Sequence, residues 1–165
     1  MRLLIAVSLL FLAGCAGYDG RGLQPGLSTA ADVEALMGAP AERRKGLDGE
    51  TVLWYPRLPY GRASYAARIA SDGRLIDVEQ RLTEDNLERL EKGKMTSEQV
   101  RDLFGPPNKV NQFPRMQREI WTYQMPAVTE WKVLFVQFSP DRVLREYYYM
   151  DDPEVPRLPA GRFHR

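Results

Sequence analysis

Hydrophobic and polar positions fall into three regimes along the chain. Leu3 to Leu12 (LLIAVSLLFL) is apolar throughout except for Ser8, with Arg2 just before it. Ten residues rise about 15 Å as a helix, half of a bilayer core of about 30 Å, so the run is too short to span one. A basic start followed by a short apolar run reads as a secretory signal. Ala16 to Pro25 (AGYDGRGLQP) is Gly-rich and aperiodic, the composition of a flexible tether. From Gly26 onward the apolar residues become periodic, switching between helical and strand spacing.

Self-comparison of the periodic part uncovers a repeat. Gly26, Thr29, Val33, Leu36, Gly38, Pro40 and Trp54 recur as Gly93, Thr96, Val100, Leu103, Gly105, Pro107 and Trp121, all seven pairs 67 residues apart. Further on, Arg74 aligns with Arg142 and Leu75 with Val143 at an offset of 68. Thr96 with Gln99, and Thr29 with Asp32, fit a capping box at the start of a helix. Val33, Leu36 and Met37, repeated as Val100, Leu103 and Phe104, mark one apolar helix face. Gly38 and Gly105 suit the position after the last turn, and Pro40 and Pro107 stop continuation.

Strand spacing follows each helix. In the first copy, an Asp48-Gly49 turn precedes Thr51 to Tyr55, and Ser64 to Ile69 turns at Ser71-Asp72-Gly73 into Leu75 to Arg81. In the second, Glu119 to Tyr123, Trp131 to Phe138 and Val143 to Tyr149 match them. Glu42 to Lys45 and Lys109 to Phe113 are weaker additional strands, and Thr83 to Lys92 reads as a further helix with Leu87 and Leu90 as its stripe. The expected fold class is α+β: a short helix or helix pair on a small antiparallel sheet of three to four strands, twice. The expected division is 1–14 signal, 15–25 tether, 26–82 first repeat, 83–150 second repeat and 151–165 a disordered tail.

Three resemblances sharpen this reading. Leu12-Ala13-Gly14-Cys15 resembles the lipobox of bacterial lipoproteins, which implies a lipid on the Cys15 sulfur, cleavage before it and acylation of the new amine. Two or more acyl chains anchor stably. Ala16, where that sorting pattern places Asp for inner-membrane retention, favours the outer membrane facing the periplasm. The pattern G-x-[ST]-x-x-x-V-x-x-L-x-G-x-P, followed by a Trp-Tyr or Trp-x-Tyr strand, resembles the SmpA/OmlA (BamE-like) family, over Gly26 to Arg81 and again over Thr83 to Tyr149. That resemblance implies a lipid-anchored, non-enzymatic accessory or scaffold in outer-membrane β-barrel assembly or envelope integrity, with assembly components as partners. The tandem arrangement also resembles the β-lactamase inhibitory protein, whose two sheets form a concave surface around a partner. It implies the alternative of a module that clamps a periplasmic enzyme or cell-wall component.

Composition removes other classes. The 165 residues carry 23 Lys and Arg against 22 Asp and Glu, with no basic stripe for nucleic acid. Cleavage before Cys15 removes Arg2 and no acid, leaving 22 of each sign. The lone Cys excludes an internal disulfide and a Cys-based zinc site, and the lone His164 sits beyond Pro153, Pro156 and Pro159. No catalytic residue, metal site or cofactor is expected apart from the covalent lipid. The carboxylate pairs Asp77/Glu79, Glu84/Asp85 and Asp151/Asp152 suit solvated strand faces or a helix N-terminus. Aromatic residues are the remaining signal. Alternation puts Trp121 with Tyr123 on one face and Tyr147 with Tyr149 on one face, leaving Tyr148 on the other. Trp54, Tyr55, Tyr60, Trp121, Tyr123, Trp131, Tyr147 and Tyr149 are the candidates for partner contact, because Tyr and Trp combine large contact area with a polar handle. Gly38, Pro40, Gly105 and Pro107 are read as fold-defining.

Overall fold

The computed structural model describes residues 19–46, 48–57, 61–126 and 131–155. The expected signal and Cys15, the candidate Tyr60, and the tail from Pro156 with His164 lie outside the described residues. The chain order is α1 (Ala30–Met37), β1 (Glu42–Lys45), β2 (Thr51–Pro56), β3 (Ser64–Ile69), β4 (Leu75–Gln80), α2 (Glu84–Glu88), α3 (Ser97–Phe104), β5 (Lys109–Phe113), β6 (Arg118–Met125), β7 (Lys132–Phe138) and β8 (Leu144–Asp151). A 3₁₀ turn, Pro114–Met116, joins β5 to β6. Two antiparallel meanders result, β1-β2-β3-β4 and β5-β6-β7-β8.

The helix signals act as local chemistry requires. The Thr29 backbone N–H donates to Asp32 Oδ2 at 2.7 Å, and the Thr96 N–H donates to Gln99 Oε1 at 2.8 Å; each threonine hydroxyl in turn accepts from the N3 backbone. Gly38 and Gly105 close the helices at φ 86° and 84°. The third helix differs from its expected extent. Thr83 caps it as anticipated, but it ends at Glu88, and Leu90 reaches the core from the turn beyond. Asn86 ties it down, donating from Nδ2 to the carbonyls of Arg81 and Leu103 at 2.9 and 3.3 Å. Part of the expected tether is also folded. Gln24 N–H donates to Ser28 Oγ at 2.9 Å, Gly20 is buried against Val78, and Leu23 packs on the first core.

Burial along the strands reveals the layers. In β2 the run Val52, Leu53, Trp54 and Tyr55 is buried without a break. A strand buried on both faces carries a continuous apolar run. Leu53 and Tyr55 meet Val33 and Met37 of α1, whereas Val52, Trp54 and Ala66 form a separate cluster on the other face. That second face lies against α3: a Cβ built on Gly105 would come within 2.5 Å of the Trp54 ring. In β6 burial alternates, with Trp121, Tyr123 and Met125 inside and Ile120, Thr122 and Gln124 half-exposed. The inner set packs with Val100, Leu103 and Phe104 of α3. The described residues are thus layered as α1, first sheet, α2 with α3, second sheet, and among them nothing packs on the outer face of the second sheet.

Register corrects the sequence alignment of the two units. Glu42 pairs with Trp54, but Lys109 pairs with Thr122 and Val110 with Trp121. Trp54 therefore corresponds in space to Thr122, and Leu53 to Trp121. Glu42 and its partner are 12 residues apart and Lys109 and its partner 13, so the second hairpin holds one residue more between equivalent positions, and one extra residue turns every following side chain to the opposite face. The isolated bridges Thr29–Arg74 and Thr96–Val143 likewise align Arg74 with Val143, two residues beyond the helix offset. Arg142 falls where the first unit has Gly73, and both adopt positive φ, 62° and 83°.

Candidate functional site

Contacts between the units define which surfaces remain. Arg101 of α3 donates from Nε to Glu42 Oε1 at 3.2 Å, and Arg44 is paired with Glu98. At the far end Arg62 reaches out of the β2–β3 connection into the second unit. Its guanidinium donates to Asp152 Oδ2 at 2.5 Å and to the Lys132 carbonyl at 2.8 Å, and it lies 4.3 Å above the Trp131 ring. The Arg62 and Asp152 side chains are 10% and 4% exposed, so this pair is buried. The expected tail begins at Asp151; instead Asp151 ends β8, and the buried Asp152 is an anchor between units.

Between the first sheet and the helices lies a cleft of about 580 Å³. Arg68 bridges Glu50 at 3.0 Å and Asp77 at 3.2 Å across its floor. Burial, reinforced by Glu79, pushes the Asp77 carboxyl above its ordinary range despite Arg68. Burial pushes Asp102 the same way, whereas the Glu50 carboxyl is held low: backbone and Arg68 hydrogen bonds outweigh its desolvation. Asp77 and Glu79 are each matched to an arginine, Glu79 to Arg81 at 2.6 Å. Glu84 accepts from the Tyr149 hydroxyl at 3.2 Å. Among the described residues no group of three or more His, Cys, Asp or Glu is arranged to hold a metal ion.

The aromatic candidates divide by burial. Trp54, Tyr55, Trp121 and Tyr123 are core residues and present no surface to a partner. Burial pushes the Tyr55 hydroxyl up to about 12, and raises Tyr123, whose hydroxyl donates to the Gly105 carbonyl at 3.1 Å. Tyr147 and Tyr149 lean on the second core from its rim, with Lys92 5.1 Å from the Tyr147 ring centre. Trp131 is 53% exposed beside Arg62.

The open face of the second sheet is built from the residues between the core positions. Thr122 opposes Phe135, which opposes Tyr148; Gln124 opposes Val133, which opposes Met150. Lys109 pairs with Thr122 and Asn111 with Ile120 on the edge. Tyr148 and Met150 are half-exposed, and the turn after Asp152 overhangs one end to form a groove of about 280 Å³ reaching from Asn108 to Glu154. Alternation separates Tyr148 from Tyr147 and Tyr149, and it is Tyr148 that lies on the open face, while the expected contacts Tyr147 and Tyr149 lie on the core side. The signal that distinguishes them is β6: Trp121 and Tyr123 alternate with Thr122 and Gln124, and whatever pairs in line with Trp121 and Tyr123 must point inward.

Comparison with known proteins bears on the second unit most directly. Residues 80–148 match the family model described as the outer membrane protein assembly factor BamE domain. No curated protein matches the chain. Among solved structures, a DUF4309 family protein (YjgB) from Bacillus subtilis is 19% identical over 80% of this chain and 84% of that one, with a TM-score of 0.32, too loose a superposition to carry an argument. No helix among the described residues is long and apolar enough to cross a membrane. The second unit, from the end of β4 into β8, is therefore similar to the BamE domain.

Proposed function

We propose that this chain is a lipid-anchored, non-enzymatic accessory of outer-membrane β-barrel assembly, held at the periplasmic side of the outer membrane through Cys15 and acting through protein contacts. The observation that carries the reading is the match of residues 80–148 to the assembly-factor domain. The lipobox Leu12-Ala13-Gly14-Cys15 supports the anchor. In this reading the first unit is a second copy of the same domain, turned into a lid over the helices of its neighbour. A clamp of the inhibitor type is less well supported, since it needs two open sheets and the first sheet here has α1 on one face and α3 on the other.

Deleting the gene tests the role. Barrel-protein levels in the outer membrane are expected to fall and sensitivity to large hydrophobic antibiotics to rise, with both restored by the wild-type chain. Normal barrel levels and normal permeability would sink the assembly reading. Cys15→Ser is expected to abolish labelling by a fatty-acid analogue and to release the protein from the membrane fraction; continued labelling would remove the anchor.

A further inference from the structure

The layers of this protein have an unfinished order. Within one molecule, the first sheet presents Val52, Trp54 and Ala66 to α3. The positions that correspond by register on the second sheet are Ile120, Thr122 and Phe135, all half-exposed, with Tyr148 beside them. The helix α1 corresponds to α3, and among the described residues its outer side is equally uncovered. Ala31, Ala35 and Gly38 are exposed, and a Cβ built on Gly38 would meet nothing within 4 Å, whereas Gly105 is closed over by Trp54. The molecule therefore carries, at opposite ends, one free copy of each half of its own internal interface.

We infer that a second copy of this chain docks its α1 on the open face of the second sheet, repeating between molecules the contact that α3 makes with the first sheet inside one. Charge supports the pairing. The internal ion pair Arg101–Glu42 maps onto Glu34 and Lys109: both signs are reversed, and the pair remains attractive. Lys109 has no ion-pair partner among the described residues; Glu34, half-exposed, pairs with Arg43 through Oε1 at 2.6 Å, and its other carboxylate oxygen is the one that meets Lys109 in the docked pair. The internal pair Arg44–Glu98 maps onto Asn111 and Ala31, which are neutral and do not oppose approach. Small residues on α1 let the helix come close to a sheet whose facing residues are larger than Ala66, as Phe135 is. The contact joins two different surfaces, so it is head-to-tail. Each added molecule again exposes one α1 and one open sheet, and the assembly grows as a chain or closes into a ring.

Cross-linking the full chain in cells tests this. Glu34→Cys and Lys109→Cys in one chain, treated with a short bismaleimide, are expected to yield a ladder of dimers, trimers and longer species. Two chains carrying one cysteine each are expected to give dimers only when co-expressed, and neither alone gives any. Adding Ala35→Arg, an exposed substitution that leaves the fold intact, is expected to abolish the ladder. Absence of a ladder from the doubly substituted chain, a dimer from either single variant alone, or a ladder that survives Ala35→Arg would each overturn the head-to-tail contact. None of these outcomes depends on barrel-protein levels.

Discussion

Arg62 offers the sharpest test of how the two units are held together. It leaves the first unit and enters the second, where Asp152 is 4% exposed and the Lys132 carbonyl accepts at 2.8 Å. Arg62→Ala strands a buried carboxylate, and removing one partner of a buried pair costs about 3–5 kcal/mol. Asp152 Oδ1 still accepts from the Glu154 N–H at 3.0 Å, which places this contribution near the lower end. The lost stacking over Trp131, at 4.3 Å, adds about 1 kcal/mol because that ring is half-exposed. The expected total is about 4 kcal/mol, a large share of the 5–15 kcal/mol typical of a domain. Arg62→Ala with Asp152→Ala removes both charges and is expected to recover about 2 kcal/mol of that loss. Urea unfolding followed by circular dichroism measures the wild type, Arg62→Ala, Asp152→Ala and the double variant. An Arg62→Ala loss below about 1 kcal/mol would show a solvated surface pair. A double variant whose loss equals the sum of the two single losses would show no coupling at all, and either result would refute the interlocking described for Arg62.

Further expectations concern packing and titration. Gly38→Ala and Gly105→Ala both place a side chain at positive φ, costing about 1–2 kcal/mol. Only Gly105→Ala also drives a methyl to within 2.5 Å of the Trp54 ring, so it is expected to be clearly the more damaging in thermal melts; equal losses would contradict the close approach of α3 to the first sheet. Trp54→Ala is expected to cost about 3–5 kcal/mol and to loosen the units from one another, read as faster proteolysis between them, because its ring belongs to the inter-unit face; protection unchanged from wild type would contradict this. Asp102, whose carboxyl burial pushes up, gains stability from its proton below the ordinary aspartate range and loses it as pH rises through the raised value. Asp102→Asn is therefore expected to be more stable than wild type at neutral pH, with the advantage shrinking in acid, and a constant difference across pH in urea titrations would refute the assignment.

The sequence alone determined the local devices. Thr29 with Asp32 and Thr96 with Gln99 start helices because their side chains and the first-turn N–H groups are only three residues apart. Gly38 and Gly105 end them because the positive φ needed there disfavours any Cβ. Even the layering was partly legible: TVLWY is continuously apolar, as a strand covered on both faces must be, while REIWTYQM alternates. Only the tertiary structure decided which side each aromatic faces and what lies against it. A strand has a side-chain period of two, so one extra residue between Lys109 and its partner in β6 separates Trp121 from Trp54 although the two match by letter and spacing. Such parity is set by hydrogen bonds between strands, which no local signal reports. For the same reason the burial of Asp152 against Arg62, 90 residues apart, and the closure of one sheet face while its counterpart stays open arise from how the units stack.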